Sequence, residues 1–332
     1  MSAQSGVAAR VARPRGRVTQ WVGGDGLFRA VVTLCSAVVL VTIVAMVIFL
    51  LVQGFDAIRQ YGFFSFLTSA RWAPSEADPT QSSPNPYGIL QFIYGTLITS
   101  LIAMLLAVPV AVAVALYITN FAPRRLRRGL SSLVDLLAAV PSVVYGFWGI
   151  FALIPALKPI GDFLASTLGK VPVIGVAFSG PYFGYSYFTA GVVLAIMVLP
   201  IIAAVCREIF ATTATSWKEA ATALGATPWE VAKVAVYRPS RTGILGASIL
   251  GLGRALGETI AVTMVIGNSV LAINKSILGQ GATMASVIAN EFTEATEPFH
   301  LQALFVVGFW LLIVALIVNV IARRIAAAQA AL

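Results

Sequence analysis

Two opposite charges stand inside an otherwise apolar stretch of this 332-residue chain. Arg254 and Glu258 lie four residues apart within the segment 251–259, a spacing that places both on one face of an α-helix. Each charge costs about 2.5–3.5 kcal/mol inside a bilayer, and pairing one helical turn apart reduces that cost. A guanidinium also presents a planar fork of N–H donors that suits a tetrahedral oxyanion. The spacing therefore predicts either a structural ion pair that fixes the helix or a pathway for an anionic substrate.

Glycines surround this pair of charges. Gly253 and Gly257 fit the pattern Gly-x-x-x-Gly, which is typical of membrane helices that pack closely, so Arg254 beside them is expected to face the protein interior. Together with Gly251 they miss the spacing of a dinucleotide-binding loop by one residue, and no strand pattern precedes them. The sequence thus predicts a helix-packing seam here and not a nucleotide site.

The composition indicates where such a segment must lie. Hydrophobic residues make up 59% of the chain and charged residues 11%, and the mean hydropathy is +0.91. Soluble domains carry about 25% charged residues, so we predict an all-α membrane protein that crosses the bilayer several times. The net charge of +9 is expected to reflect Lys and Arg on one side of the membrane, and no nucleic acid partner is predicted.

Six apolar stretches predict about six transmembrane helices. They are residues 31–52, 90–118, 133–157, 187–205, 243–271 and 301–321. Lys and Arg are concentrated in alternate connections, which predicts that both termini lie in the cytoplasm. Residues 1–29 are predicted as a cytoplasmic tail and residues 30–332 as the transmembrane domain. Prolines 109, 141 and 200 fall inside spans, where neighbouring helices or a cavity must satisfy the freed carbonyls, so a bundle around a pathway is favoured.

Three polar or aromatic features lie near the ends of these spans. The basic run at 124–128 predicts a cytoplasmic loop. Asp135, near the cytoplasmic start of the third span, is interpreted as making a local polar contact, and His300 as an interfacial residue. Phe and Tyr are frequent just after the first span, which predicts a helix lying at the membrane interface.

A 26-residue run at 216–241 is too polar to cross the bilayer. Ser216 and Glu219 have the spacing of a capping box, and Thr227, followed by proline and then by glutamate, is a second helix start. Gly225 between them predicts a helix end. The run therefore predicts two short helices that meet at a corner. The alternative is an amphipathic linker that rests on the membrane surface.

The residue pattern in this run carries a family resemblance. Glu219-Ala220-Ala221, with Gly225 six positions after the glutamate, resembles the EAA loop of ABC importer permeases. That loop is the cytoplasmic element that sits in a cleft of the ATPase subunit. The resemblance implies an ATPase-docking loop at about 207–242, in which Trp229 would serve as a large apolar anchor. The later Ile-x-Leu-Pro of the family motif is not kept.

The segment around the two charges carries a more specific resemblance. Residues 251–268, GLGRALGETIAVTMVIGN, are similar to the C-type permease subunit of the phosphate-specific (Pst) importers, and the stretches 87–97 and 137–146 match that family as well. The similarity runs from about residue 28 to the C-terminus. It implies the type I ABC importer permease fold and a role in importing inorganic phosphate, with Arg254 and Glu258 on the substrate pathway.

The same resemblance implies partners. They are a second homologous permease subunit, two ATP-binding cassette subunits and an extracytoplasmic phosphate-binding protein, assembled in the bacterial cytoplasmic membrane. No Gly-x-x-x-x-Gly-Lys-Ser/Thr sequence occurs in the chain, so we expect it to bind no cofactor and to be no enzyme itself. ATP and Mg²⁺ are expected at the partner ATPase subunits.

Two other functions stay open on the sequence. A permease for sulfate, molybdate or a phosphonate would need a similar anion pathway. An ion-coupled secondary transporter that works alone would also span the membrane several times. That alternative predicts an inverted repeat and no docking loop.

Overall fold

The computed structural model describes residues 24–74, 86–172, 174–271 and 273–330. Within these ranges the chain is helical, with two isolated bridges in place of strands. Contacts divide the chain into two units, residues 1–49 and 50–332. Most of the predicted tail, residues 1–23, lies outside the described residues.

Fourteen α-helices occur in the described part of the chain. They are α1 (Gly24–Gln53), α2 (Phe55–Tyr61), α3 (Phe63–Thr68), α4 (Leu90–Leu116), α5 (Arg124–Ala138), α6 (Ser142–Trp148), α7 (Ile154–Thr167), α8 (Tyr187–Ala211), α9 (Thr215–Ala223), α10 (Pro228–Val231), α11 (Arg241–Gly257), α12 (Ile260–Ile266), α13 (Met284–Glu291) and α14 (Pro298–Ala330). Three π-helical segments extend α4, α6 and α10: Tyr117–Phe121, Gly149–Leu153 and Ala232–Tyr237.

The membrane spans agree in number with the sequence prediction. Five helical segments are long and apolar enough to cross a bilayer, and the bent pair α11–α12 makes a sixth. The five are Gly26–Gln53, Leu90–Phe121, Ser142–Lys170, Tyr187–Ala211 and Pro298–Ala328. The prediction of an all-α polytopic membrane protein is therefore confirmed. Where an interfacial helix is predicted after the first span, the structure has two short helices, α2 and α3. Their position at the membrane interface stays a prediction.

Helix α8 is the centre of the larger unit, and α4 packs along it. The core-facing side of α4 includes four fully buried alanines with a spacing of four: Ala103, Ala107, Ala111 and Ala115. Residues four apart lie on one face of a helix, and side chains this small let two helix backbones approach closely. Gly191 of α8 completes the contact, since a Cβ there would overlap with Ile102.

The predicted third span, residues 133–157, is broken at Pro141. Helix α5 ends at Ala138 and α6 begins at Ser142, because a proline ring excludes the preceding residue from helical geometry. The Arg207–Asp135 ion pair and the proximity of Gly149 to Val193 show that α5, α6 and the following π-helical segment run antiparallel to α8. The basic run at 124–128 forms the first turns of α5, so the prediction of a loop is wrong there. Helix α7 continues to Thr167, so the observed third span, Ser142–Lys170, begins and ends later than the predicted span at 133–157.

Polar contacts tie the segment between α12 and α13 to the rest of the bundle. The Gln91 amide donates to the carbonyl of Val270 at 2.8 Å, and the backbone N–H of Met284 donates to Thr96 Oγ1 at 3.0 Å. These bonds satisfy backbone groups of a segment with little regular structure of its own.

His300 is part of a partly buried polar network, and its position at the membrane interface stays a prediction. Its Nε2 lies 2.8 Å from Glu291 Oε2, which also accepts a hydrogen bond from Trp72 Nε1 at 2.8 Å. The network joins the start of α14 to the end of α13 and to the segment after α3.

Candidate substrate pathway and docking segment

The charged stretch singled out by the sequence lies at a break in a helix. Helix α11 ends at Gly257, α12 begins at Ile260, and the two axes differ by 63°. Glu258 has φ −71° and ψ 128°, which is an extended conformation. The predicted continuous helix at 243–271 is therefore wrong. Glycine is among the poorest helix formers, and the glycines of this stretch lower the free energy needed to interrupt it.

The break separates the two charges that were predicted to pair. Arg254 is exposed and Glu258 is buried, with 9% of its surface accessible. Among the described residues, neither makes an ion pair within 4.0 Å. The predicted ion pair is therefore wrong for this conformation, because Glu258 no longer follows the helical face that carries Arg254.

Both charges nevertheless line one pocket of about 980 Å³ between α8, α11 and α14. The glycine face of α11 borders this space. A Cβ atom at Gly246 or Gly257 would have no neighbour within 4 Å, and one at Gly253 would meet only Asn319 Oδ1 at 3.9 Å. The predicted Gly-x-x-x-Gly packing seam within the chain is thus wrong, because these glycines open the pocket instead of bringing two helices together.

Two polar residues of α14 line the same pocket and were missed by the sequence reasoning. Asn319 faces Gly253, and Arg323 lies one turn further along α14 on the pocket side. The antiparallel packing of α11 and α14 places Arg323 nearer than Arg254 to the start of α11. A polar residue inside the sixth apolar stretch was the available signal for Asn319. Arg323 was not recognised as a pocket residue because Arg324 follows it, and a pair of arginines after a span usually marks the cytoplasmic end of that span.

The predicted corner between two short helices is confirmed. Helix α9 ends in a Schellman motif, with Gly225 at φ +82° and the N–H of Ala226 bonded to the carbonyl of Ala221 at 3.1 Å. Helix α10 begins at the predicted second start with a capping box, in which Thr227 and Glu230 exchange hydrogen bonds. The bonds from Thr227 lower the pKa of Glu230.

The capping box predicted at Ser216 and Glu219 is wrong. Ser216 is already inside α9, whose N-terminal flanking residue is Ala214, and no side chain caps that end. The helix starts two residues earlier than the Ser-x-x-Glu pattern requires. Glu219 is therefore a fully helical, exposed side chain with no ion-pair partner among the described residues.

The corner exposes an unusual amount of apolar surface. Leu224 is 90% exposed, Trp229 62% and Trp217 52%, and the helix face beside them carries Ala220 and Ala221. The Trp229 ring lies 6.3 Å from that of Phe121 at the end of the α4 π-helical segment. Exposed large apolar side chains that cluster in this way mark a surface for a partner. Trp217 was not singled out from the sequence.

An ion pair next to this corner supports the interpretation of Asp135. Arg207 Nη2 lies 3.0 and 3.3 Å from the two carboxylate oxygens of Asp135, and its Nη1 donates to the carbonyl of Ser131 at 3.2 Å. The predicted polar contact at Asp135 is therefore confirmed, and it fixes α5 to the end of α8.

A helical membrane bundle with a charged pocket at a broken span and an exposed apolar corner between α9 and α10, the candidate docking corner, is typical of a transport permease. Comparisons with known proteins give its family. Residues 107–329 match the family described as binding-protein-dependent transport system inner membrane component. The chain belongs to that family. It is therefore a multi-pass membrane component of an ABC importer, a transport subunit rather than an ATPase, and it works with ATPase and binding-protein components.

The individual relatives match over nearly the whole chain. It is 44% identical to the phosphate transport system permease protein PstC of Xylella fastidiosa, over 93% of each sequence. It is 39% identical to PstC of Haemophilus influenzae, over 91% of this chain and 92% of the relative, and 39% identical to PstC 2 of Mycobacterium tuberculosis, over 91% and 92% respectively.

A solved structure supports the fold alone. In an inward-facing structure of the MetNI methionine ABC transporter, one chain matches with a TM-score of 0.52 and 16% sequence identity, over 75% of this chain and 99% of that one. The stand-alone secondary transporter is excluded by the family, and the ABC importer permease fold is confirmed.

Proposed function

We propose that this chain is the C-type permease subunit of an ATP-driven importer that moves inorganic phosphate across the bacterial cytoplasmic membrane. The observation that carries the proposal is the pocket that brings Arg254, Arg323 and Asn319 together at a broken membrane helix. Phosphate as the oxyanion is supported by the 44% identity to a protein named for phosphate transport.

The pocket offers the chemistry that a phosphate dianion needs. Arg254 on α11 and Arg323 on α14 approach the space from two helices, and each guanidinium can donate two parallel hydrogen bonds to phosphate oxygens. Asn319 bonds through Nδ2 to the carbonyl of Ala315 at 2.8 Å. The two arginines at different depths would pass the anion from one site to the next toward the start of α11.

Glu258 limits how firmly the pocket holds the anion. Its buried carboxylate repels a dianion bound nearby. When the α11–α12 break closes, the same carboxylate competes for the Arg254 guanidinium and leaves a near-neutral pair. A transporter must release its substrate as well as bind it, so a countercharge within reach favours turnover.

The assembly follows from the family resemblance and from the docking corner. A second permease subunit, two ATP-binding cassette subunits that hold ATP and Mg²⁺, and an extracytoplasmic phosphate-binding protein would complete the importer. Both termini, including the tail at 1–29, would lie in the cytoplasm with the docking loop at 207–242, and residues 30–332 would form the permease domain. Neither nucleic acid nor a cofactor is bound by this chain in the proposal.

The docking corner would transmit closure of the ATPase dimer to the pocket. Glu219, Ala220, Ala221, Gly225 and Trp229 form the proposed contact surface, and the segment after α10 leads directly into α11. A displacement of the corner would therefore move the helix that carries Arg254.

Uptake assays can test the substrate class. In a strain that lacks its own phosphate permeases, co-expression of this chain with its partner subunits should restore uptake of labelled phosphate. An excess of sulfate, molybdate or phosphonate should leave that uptake unchanged. Restored uptake of one of those oxyanions, and not of phosphate, would replace the proposed substrate with the competing one.

A further inference from the structure

We propose that the groove between α5 and the end of α4 binds one anionic phospholipid from the leaflet on the side of the docking corner. An acyl chain would occupy the apolar groove, and the phosphodiester headgroup would meet Arg127 in the first turn of α5. This site is separate from the pocket that contains Arg254.

Helix α5 is amphipathic in the way that such a site requires. Four arginines occupy its first five positions: Arg124, Arg125, Arg127 and Arg128. Apolar residues recur at 126, 130, 133, 134 and 137, which is the three-and-four spacing of one helix face. A helical projection of 100° per residue places Arg124, Arg125 and Arg128 away from these apolar positions, whereas Arg127 lies at the edge of the apolar face, about 20° from Val134. Arg127 is therefore the arginine that continues the apolar face toward the start of the helix.

The apolar face of α5 borders a formed groove. A pocket of about 440 Å³ lies between this helix and the end of α4, and every residue that lines it is apolar or aromatic. They are Ala113, Val114, Tyr117, Ile118, Leu130, Leu133, Val134 and Leu137. The π-helical segment Tyr117–Phe121 ends α4 beside this groove. A hydrocarbon chain fits a cleft of this chemistry, whereas a free phosphate ion does not.

The arginines have no countercharge within the described part of the protein. None of the four lies within 4.0 Å of a carboxylate there. Asp135, the one acidic residue of α5, is engaged by Arg207. An exposed guanidinium at the edge of an apolar groove, within a run of four arginines, fits the headgroup of an anionic lipid, and basic pockets between membrane helices bind such headgroups.

The ion pair between Asp135 and Arg207 also sets the depth of the arginines. Arg207 lies one turn before the end of α8 at Ala211. Arg128 and Arg124 precede Asp135 by seven and eleven residues, which is about 10 and 16 Å along a helix axis. They therefore lie beyond the end of the span, on the side where Phe121 contacts Trp229 of the docking corner. Lipid headgroups occupy this depth.

The test uses the full importer complex, purified with equal amounts of each variant and reconstituted with a trace of spin-labelled phosphatidylglycerol or spin-labelled phosphatidylcholine. The immobilised fraction of each lipid gives the selectivity for the anionic one. Arg127→Gln should lower that selectivity by about fivefold. Arg124→Gln removes the same charge on the far side of the same helix and should leave the selectivity close to that of the wild type.

The groove is tested separately from the charge. Leu133→Trp fills the groove and should release the immobilised phosphatidylglycerol, whereas Leu136→Trp, on the exposed side of the same helix, should not. Glycerophosphoglycerol, which has the headgroup without acyl chains, should fail to displace the lipid. Equal selectivity in the wild type and in the Arg127→Gln variant would overturn the proposal. So would equal effects of the two tryptophan variants, or groove occupancy by a partner subunit that leaves no immobilised lipid.

Discussion

Arg254 and Glu258 show how far residue types and spacing lead at the scale of single residues. Two charges in an apolar stretch correctly indicate a special site, and both residues do line one pocket. Their four-residue spacing wrongly indicates a standing ion pair, because spacing reports geometry only if the helix continues. The helix does not continue, because the backbone at Glu258 is extended, with ψ at 128°. The neighbouring glycines make a helix break easier, but they do not determine at which residue it occurs.

Glu258→Gln tests the proposed countercharge. Removing the negative charge should let Arg254 hold phosphate more firmly, so the purified complex should retain more labelled phosphate after washing and transport it more slowly. Glu294→Gln, an exposed carboxylate outside the pocket, is the matched control and should behave as wild type. Unchanged retention and unchanged transport in Glu258→Gln would remove the countercharge from the proposal.

Arg323 and Arg324 offer a pair of neighbouring variants with opposite expectations. Arg323 lines the pocket and Arg324 does not. Arg323→Gln should reduce phosphate uptake by about tenfold, since a charge-assisted bond to the substrate is lost, whereas Arg324→Gln should retain most of it. Similar uptake by the two variants, at equal protein amounts, would assign both arginines to the cytoplasmic anchoring of α14.

At the scale of elements, the docking corner was the most predictable part of the chain. The end of α9 depends on Gly225, and the start of α10 depends on Thr227 with Glu230. The conformational preferences of these residues act locally and need no tertiary contacts. The first start failed at Ser216 because a Ser-x-x-Glu pattern can also be accommodated inside a helix. The lengths of α5 and α7 were mispredicted for a related reason, since hydropathy marks the bilayer and not the ends of helices.

Gly225→Val tests the corner as an element. A β-branched residue at φ +82° costs about 1–2 kcal/mol in the left-handed region, so the corner should deform, and both uptake and association with the ATPase subunits should fall. Gly225→Asn is the control, because asparagine tolerates this conformation and should preserve both. Wild-type assembly and uptake in Gly225→Val would contradict the docking assignment, as co-purification with the ATPase subunits would reveal.

For the whole molecule, the number of spans and the fold class follow from composition, because only long apolar helices satisfy their backbone groups within a bilayer. The arrangement of the helices could not be read in the same way. Each span carries apolar residues on all of its faces, so hydropathy does not indicate which face packs on α8. The row of alanines on α4 gives that information only once the partner helix is known.

Ala107→Leu tests that packing. Ala107 is fully buried in the α4 row, and extra methylenes in a close-packed interface should destabilise the protein by about 1–3 kcal/mol. The midpoint of thermal unfolding of the detergent-purified chain should fall. Val110→Leu adds volume at an exposed position of the same helix and should leave the midpoint unchanged, so equal midpoints for both variants would contradict the packing of α4 on α8.

The most direct test of Arg254 as a ligand for the transported anion is Arg254→Lys in reconstituted vesicles that contain the complete importer. Lysine keeps the positive charge but loses the bidentate fork, so phosphate uptake driven by ATP should fall by about tenfold or more. Assembly with the partner subunits and their ATP hydrolysis should persist. Near-normal phosphate uptake by Arg254→Lys, and above all by Arg254→Ala, would contradict the assignment of this pocket as the substrate pathway.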